Sequence, residues 1–342
     1  MKGKGEMALR LERWSLPPLS AVMALLAFLA GFGPANAAEG RYKLDIPFQA
    51  VGIGVTPLWL AIDSGFFRKY GVDATTQFVS QSPTLVAAVL SGDTPFANAG
   101  QEAVIAADLN GGDIEILVSG PEKLFFEINA APTIHRVADL KGKKIGISQF
   151  GATTDFIARY VLQKAGLNPK TDASILPTGP QAANLAALQA GLIQATVLAA
   201  PTMFKAEDLG FPAVANMLDY DLFFYTSALI AKRSWVEQHR DETMAVVKAY
   251  VAGSAAVHTN EAGAKASIAK YSSIKDPKVL ERSYQLLVRA LPKVPVPQAR
   301  AIRTGLDQRS DPAAKAADPQ RFTDPSFVNE LERDGFIAQL YK

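Results

Sequence analysis

Short apolar runs alternate with amphipathic stretches of helical spacing from residue 44 to residue 209, and no other feature limits the possible folds as tightly. Leu44–Val51, Thr75–Val79, Ile114–Val118, Lys144–Ser148 and Ala195–Ala199 are bounded by Gly, Pro and Ser, which predicts strands. Between them, Pro57–Ser64, Pro83–Ser91, Gln101–Asn110, Thr154–Ala165, Gln181–Ala190 and Thr202–Leu209 repeat apolar residues every three or four positions, which predicts helices. Strands interleaved with short helices need crossover connections. The expected class is therefore α/β, with two mainly parallel sheets flanked by helices.

Beyond Ser234 the strands run out. Trp235–His258, Gly263–Tyr271, Pro277–Ala290, Gln298–Gln308 and Pro325–Asp334 all carry helical patterns, which predicts a helical C-terminal part. Two stretches echo each other, Leu85–Asn98 and Leu185–Val197: each is an Ala/Leu helix closed by a small residue and Gly, then a strand. The echo suggests two similar lobes, expected at 41–131 plus 229–342 and at 132–228. The chain would leave the first near Ala131-Pro132 and return near Thr226–Ala231. Two such crossings make a hinge, and hinges of this kind close around a ligand.

The N-terminal residues 1–37 read as a signal peptide: a start bearing Lys2, Lys4, Arg10 and Arg13, an apolar run from Ala21 to Phe32, and the small-residue exit Ala35-Asn36-Ala37. Pro17-Pro18 and Gly31, Gly33 and Pro34 oppose a long membrane helix there, so export without membrane insertion is expected. About 305 residues would remain, enough for roughly two domains. The formal charge of the whole chain is +2, and the leader carries four basic and two acidic residues, so the remainder is neutral. A neutral chain has no basic field for phosphates, which argues against nucleic acid as partner. There is no cysteine, hence no disulfide, no thiolate chemistry and no lipid-bearing cysteine anchor. The expected location is the periplasm, as a monomer.

Pro57-Leu58-Trp59-Leu60-Ala61 followed by Gly65-Phe66-Phe67-Arg68-Lys69-Tyr70-Gly71-Val72 resembles the opening signature of solute-binding proteins of the nitrate/taurine/sulfonate class of ABC importers, the thiamine-pyrimidine-synthase-like family. Ser91-Gly92 with Phe96-Ala97, Asp139–Gly146, Leu185–Gly191, and Phe327–Leu331 with Gly335-Phe336 are similar to that family in the same order. The resemblance implies a type II periplasmic-binding-protein fold. It also implies capture of a small organic solute (a sulfonate-, nitrate- or taurine-like anion, or a neutral heteroaromatic or amine) and delivery to a membrane permease and, through it, its ATPase. A relative of this fold makes a thiamine pyrimidine using a cysteine-rich iron site, and that chemistry does not transfer to a chain without cysteine.

Ligand contacts are expected in loops at the carboxyl ends of parallel strands, where helix N-termini present free backbone N–H groups. These loops supply Thr56 and Trp59; Gln81 and Ser82; Asn98 and Gln101; Gln149, Thr153, Thr154 and Asp155; Gln181; and Pro201, with Tyr225 near the hinge. Small hydroxyl and amide groups suit a compact polar ligand. Gly151 with Thr153 and Thr154 at a helix start favours an anion, whereas Asp155 in the first turn opposes one. No Arg or Lys lies in these loops, so an aromatic neutral ligand or an amine stacked on Trp59, Phe150 or Tyr225 fits as well. No phosphate loop, nucleophile elbow or zinc-binding His-Glu-x-x-His is present, and no cofactor or metal is expected. The alternative to a receptor is an exported enzyme or a sensory ligand-binding subunit, with Asp155 or Glu102 as acid or base.

Overall fold

A computed structural model describes residues 42–49, 51–79, 82–309 and 311–342; the expected signal segment and Gln81 lie outside them. Tyr42–Asp45 (β1) leads through a loop to helix α1, Thr56–Asp63, with Pro57 in its first turn. Gly65, at φ 71°, turns the chain into α2, Phe66–Lys69, which precedes β2, Val72–Thr75. Ser82–Ser91 (α3), Phe96–Ala99 (β3), Gln101–Leu109 (α4) and Ile114–Ser119 (β4) complete the first run. The chain then forms Phe126–Ala130 (β5), Lys144–Ile147 (β6), Thr153–Lys164 (α5), Ser174–Pro177 (β7), Gln181–Gln189 (α6), Ala195–Ala199 (β8), Thr202–Asp208 (α7) and Ala213–Asn216 (β9).

Ala228–Lys232 (β10) is the last strand among the described residues. Helices follow: Arg233–Gln238 (α8), Arg240–Thr259 (α9), Glu261–Ser272 (α10), Pro277–Ala290 (α11), Ala299–Asp307 (α12), Pro312–Ala316 (α13), Ser326–Arg333 (α14) and Phe336–Gln339 (α15). The stretch Trp235–His258, expected as one helix, breaks at His239. There the backbone leaves helical geometry (φ −132°, ψ 52°) and the imidazole stacks on Trp235 at 4.4 Å.

One sheet has the order β3-β10-β4, with β10 antiparallel to both neighbours, and β1 pairs in parallel with β2 beside it. Parallel bridges from Phe48 to Phe78 and to Asn98 join the β1–β2 pair to β3. The other sheet has the order β7-β6-β8-β5-β9. Its β6, β7 and β8 are mutually parallel, and β5 runs against β8 and β9. The sheets are mixed, each with one strand reversed, and those strands, β5 and β10, follow the two passages between sheets. Because β5 pairs with β8 and β9, the first passage falls at 120–125, upstream of Ala131-Pro132 where the sequence suggested it. The passages touch: a Cβ on Gly120 would lie 2.1 Å from the Ser227 carbonyl oxygen, so only glycine fits there.

Each sheet has a core of its own, and a further apolar cluster of Leu60, Leu198, Phe204, Val257 and Leu287 joins β8 and α7 to α1, α9 and α11. Trp59, Phe96, Leu117 and Leu229 pack with Val247 and Tyr250 of α9 on one face of the first sheet. Its other face carries Val104, Ile105, Ile116, Ile230, Ile302 and Leu306, which binds α12 to α4. Ile128, Ile145, Ile147, Val197 and α5 residues Ile157 and Val161 fill the second. The echo between Leu85–Asn98 and Leu185–Val197 has a structural counterpart: α3 and α6 each end at a left-handed glycine, Gly92 (φ 86°) and Gly191 (φ 70°), before β3 and β8.

Candidate functional site

Helices α4 and α5 follow the carboxyl ends of β3 and β6, and the first turns of both line one groove. About 600 Å³ is enclosed by Glu102 of α4, Gly151, Ala152 and Thr153 at the start of α5, Phe224 of the return passage, and Gln308, Arg309 and Asp311 beyond α12. Gly151, Ala152 and Gln308 also line a neighbouring cavity of about 500 Å³ that reaches Arg159, Tyr160, Asp221 and Thr304. Its position at the carboxyl ends of strands from different sheets is where open α/β folds bind ligands.

The α5 wall is built from its own loop. The Ser148 N–H donates to Thr154 Oγ1 at 3.0 Å, and the two hydroxyls share a bond of 2.7 Å. Gly151 adopts φ 79° and donates its N–H to Asp155 Oδ2 at 3.0 Å, while Arg159 Nε reaches Asp155 Oδ1 at 2.7 Å. Asp155 thus satisfies a loop donor and is itself neutralised one turn later.

The α4 wall is assembled from distant segments. The buried Gln101 donates its backbone N–H to Tyr225 O at 2.9 Å; its side chain accepts the Tyr225 N–H at 2.8 Å and donates to Ala301 O at 2.9 Å. Tyr225 Oη accepts the Gln298 N–H at 2.8 Å, and burial raises its phenol above the ordinary value. These bonds fix α12 against α4 and bring Arg309 to Glu102, Nη1 to Oε2 at 3.5 Å. Burial holds the Glu102 carboxyl above its usual range, with Arg309 opposing.

Of the residues expected from sequence, Thr153 lines the groove and Asp155 the neighbouring cavity. Thr154 sits behind it, holding Ser148. Gln149 and the adjacent Phe150, 58% exposed, stand on the same loop; Phe78 and Val51 are similarly exposed on loops of the first sheet. Asn98 is buried, donating to Tyr250 Oη at 2.8 Å and accepting from Ser227 Oγ at 2.7 Å. Gln101 and Tyr225 are fully engaged as described. Thr56 donates its hydroxyl to Ile53 O at 2.6 Å, Gln181 accepts the Ala199 N–H at 2.7 Å, Pro201 is exposed and follows a cis bond, and Ser82 opens α3. Trp59 is a core residue, stacked on Tyr271 at 4.9 Å and edge-on to Phe48 at 5.5 Å. Gln308, Arg309 and Asp311 come from the C-terminal helical part, which the loop-based reading passed over. The polar Gln308-Arg309 break after an amphipathic helix is the signal that could have drawn attention to them. Among the described residues no cluster of three or more His, Asp or Glu could hold a metal ion.

A two-sheet α/β molecule with a groove between strand ends has the architecture of periplasmic binding proteins, and the comparisons agree. The periplasmic sulfonate-binding protein SsuA of Methylobacillus flagellatus superposes with a TM-score of 0.73 at 21% identity, over 87% of this chain and 97% of that one. The periplasmic nitrate-binding protein NrtA of Synechocystis gives 0.59 at 14% identity, over 88% and 91%. A protein of Brucella abortus, named provisionally as a binding protein, is 28% identical over 137 residues, 40% of this chain and 42% of its own length. The chain belongs to the NMT1/THI5-like family, whose model matches residues 53–264.

Proposed function

We infer that this chain is the solute-binding component of an ABC importer, working in the periplasm after export. The groove between the first turns of α4 and α5 carries this reading, because its walls come from different sheets joined by two adjacent passages at Gly120 and Ser227. Rotation about those passages brings the two helix starts together over a small organic solute, which is then handed to a permease. The lobes are then the first sheet with the C-terminal helices and the second sheet with α5, α6 and α7. Among the described residues no helix is long and apolar enough to cross a membrane. Relatives of the same fold that bind sulfonate and nitrate in the periplasm support the assignment. Catalysis finds less support: the two carboxylates in the first turns, Asp155 and Glu102, each face a guanidinium and neither stands free as a base.

The test is a thermal-shift screen of sulfonates, carboxylates, nitrate, pyrimidines and amines on the protein lacking residues 1–37. A solute that binds is expected to raise the melting temperature saturably. A solute consumed and released as a changed product would replace the receptor with an enzyme.

A further inference from the structure

The ion pair on the α4 wall is not made like a structural salt bridge. Arg309 and Glu102 stand 3.5 Å apart, where a charge-assisted bond is usually about 2.7–2.9 Å. Arg309 Nε and Glu102 Oε1 are both shielded from solvent, and neither has a hydrogen-bond partner among the described residues. Shielding charged groups without completing their bonds is unfavourable, and the raised Glu102 carboxyl reflects it. Attraction to Glu102 is not what places Arg309. Gly305 lets α12 lie directly on α4, since a Cβ there would come within 2.6 Å of Gln101 Nε2 and Ile105 Cδ1. The chain end at Arg309 is therefore delivered to the groove by packing.

Two of the three neighbouring carboxylates face a guanidinium of their own, and the third, Asp311, keeps its charge while capping α13. Asp311 accepts the Ala313 N–H at 2.8 Å, Asp307 faces Arg303 at 3.8 Å, and Asp155 is held by Arg159. Across the groove stand Ala152 and Thr153 at the start of α5.

We propose that Arg309 determines the specificity of the groove: its guanidinium exchanges the Glu102 carboxylate for an oxyanion carried by the solute, a carboxylate or a sulfonate. Glu102 is the resident counter-ion that the solute displaces. The proposal rests on the solute-receptor reading and narrows it to solutes bearing an oxyanion, recognised by a residue outside every loop the sequence pointed to.

The first experiment needs no identified solute. Melting is followed in sulfate and in chloride at matched ionic strength for the parent protein, Arg309→Gln, Arg309→Lys and Glu102→Gln. Sulfate is expected to stabilise the parent saturably, to bind Glu102→Gln about tenfold more tightly, to bind Arg309→Lys more weakly than the parent and to have no specific effect on Arg309→Gln. Glu102→Gln keeps the guanidinium, so its gain cannot be hidden by a folding defect in Arg309→Gln. Equal sulfate responses in all four overturn the proposal. Calorimetry with methanesulfonate, benzoate, benzamide and benzylamine then separates the two levels. Anion binding that falls about ten- to a hundredfold in Arg309→Gln supports the role of Arg309. A neutral or cationic solute that binds the parent and Arg309→Gln alike overturns that role and leaves the receptor intact.

Discussion

The two walls of the groove solve one problem in opposite ways. Each begins with a helix that follows a strand, and each carries a carboxylate in the first turn. On α5, Asp155 is tied to Gly151 and to Arg159 four residues on, within one loop and one helical turn. On α4, Glu102 meets Arg309 across 207 residues of sequence, loosely, and only because α12 is packed against α4. A local pair is stable wherever its helix goes. A long-range pair of poor geometry depends on the fold and is open to replacement, which suits the wall that must recognise something.

The contrast is sharpest where packing alone holds the long-range wall. Gly305→Val forces α12 away from Gln101, whose amide is fixed by two hydrogen bonds and cannot yield. The expected loss is about 2–3 kcal/mol in denaturant unfolding, and sulfate stabilisation should vanish with it. An unchanged midpoint would mean that α12 is not what positions Arg309.

On the local wall, Asp155→Ala removes the acceptor for the Gly151 N–H together with the partner of Arg159. About 1–2 kcal/mol should be lost, while the response to sulfate survives. Gly151→Ala places a Cβ in the left-handed region at φ 79° and should cost about 1 kcal/mol, with sulfate binding still present because Arg309 is untouched. If either substitution abolished anion binding, the walls would not divide the work as described.

The smallest effect is a pH slope. Burial raises the folded-state carboxyl of Glu102 above its unfolded value, so the folded protein binds more protons between those two values. Stability should therefore fall as pH rises through that window, and Glu102→Gln should remove this part of the slope. Glu102 is partly exposed, so the change is small and is best read as a difference between parent and variant melting curves.

The same contrast explains how far the sequence could be read. The predicted helix Pro277–Ala290 and strand Ala195–Ala199 stand at those limits, because apolar period and Gly or Pro punctuation are local signals. β5 and β10 were not recognisable as strands: their place depends on which sheet accepts them, as the pairing of β5 with β8 shows. At the groove and the cavity beside it, Thr153 and Asp155 were legible because a helix start after a strand is written in adjacent residues. Arg309 was not, since nothing near it in sequence mentions Glu102. Trp59 and Tyr225 carry aromatic surface that suits a core as well as a ligand, and only burial tells the two apart.

The central claim is that two sheet-based lobes close over a solute held between the first turns of α4 and α5. Small-angle scattering of the protein lacking residues 1–37, with and without a solute that raises its melting temperature, tests this most directly. The radius of gyration should shrink on saturation. A solute that binds while the radius stays unchanged would contradict the closing groove.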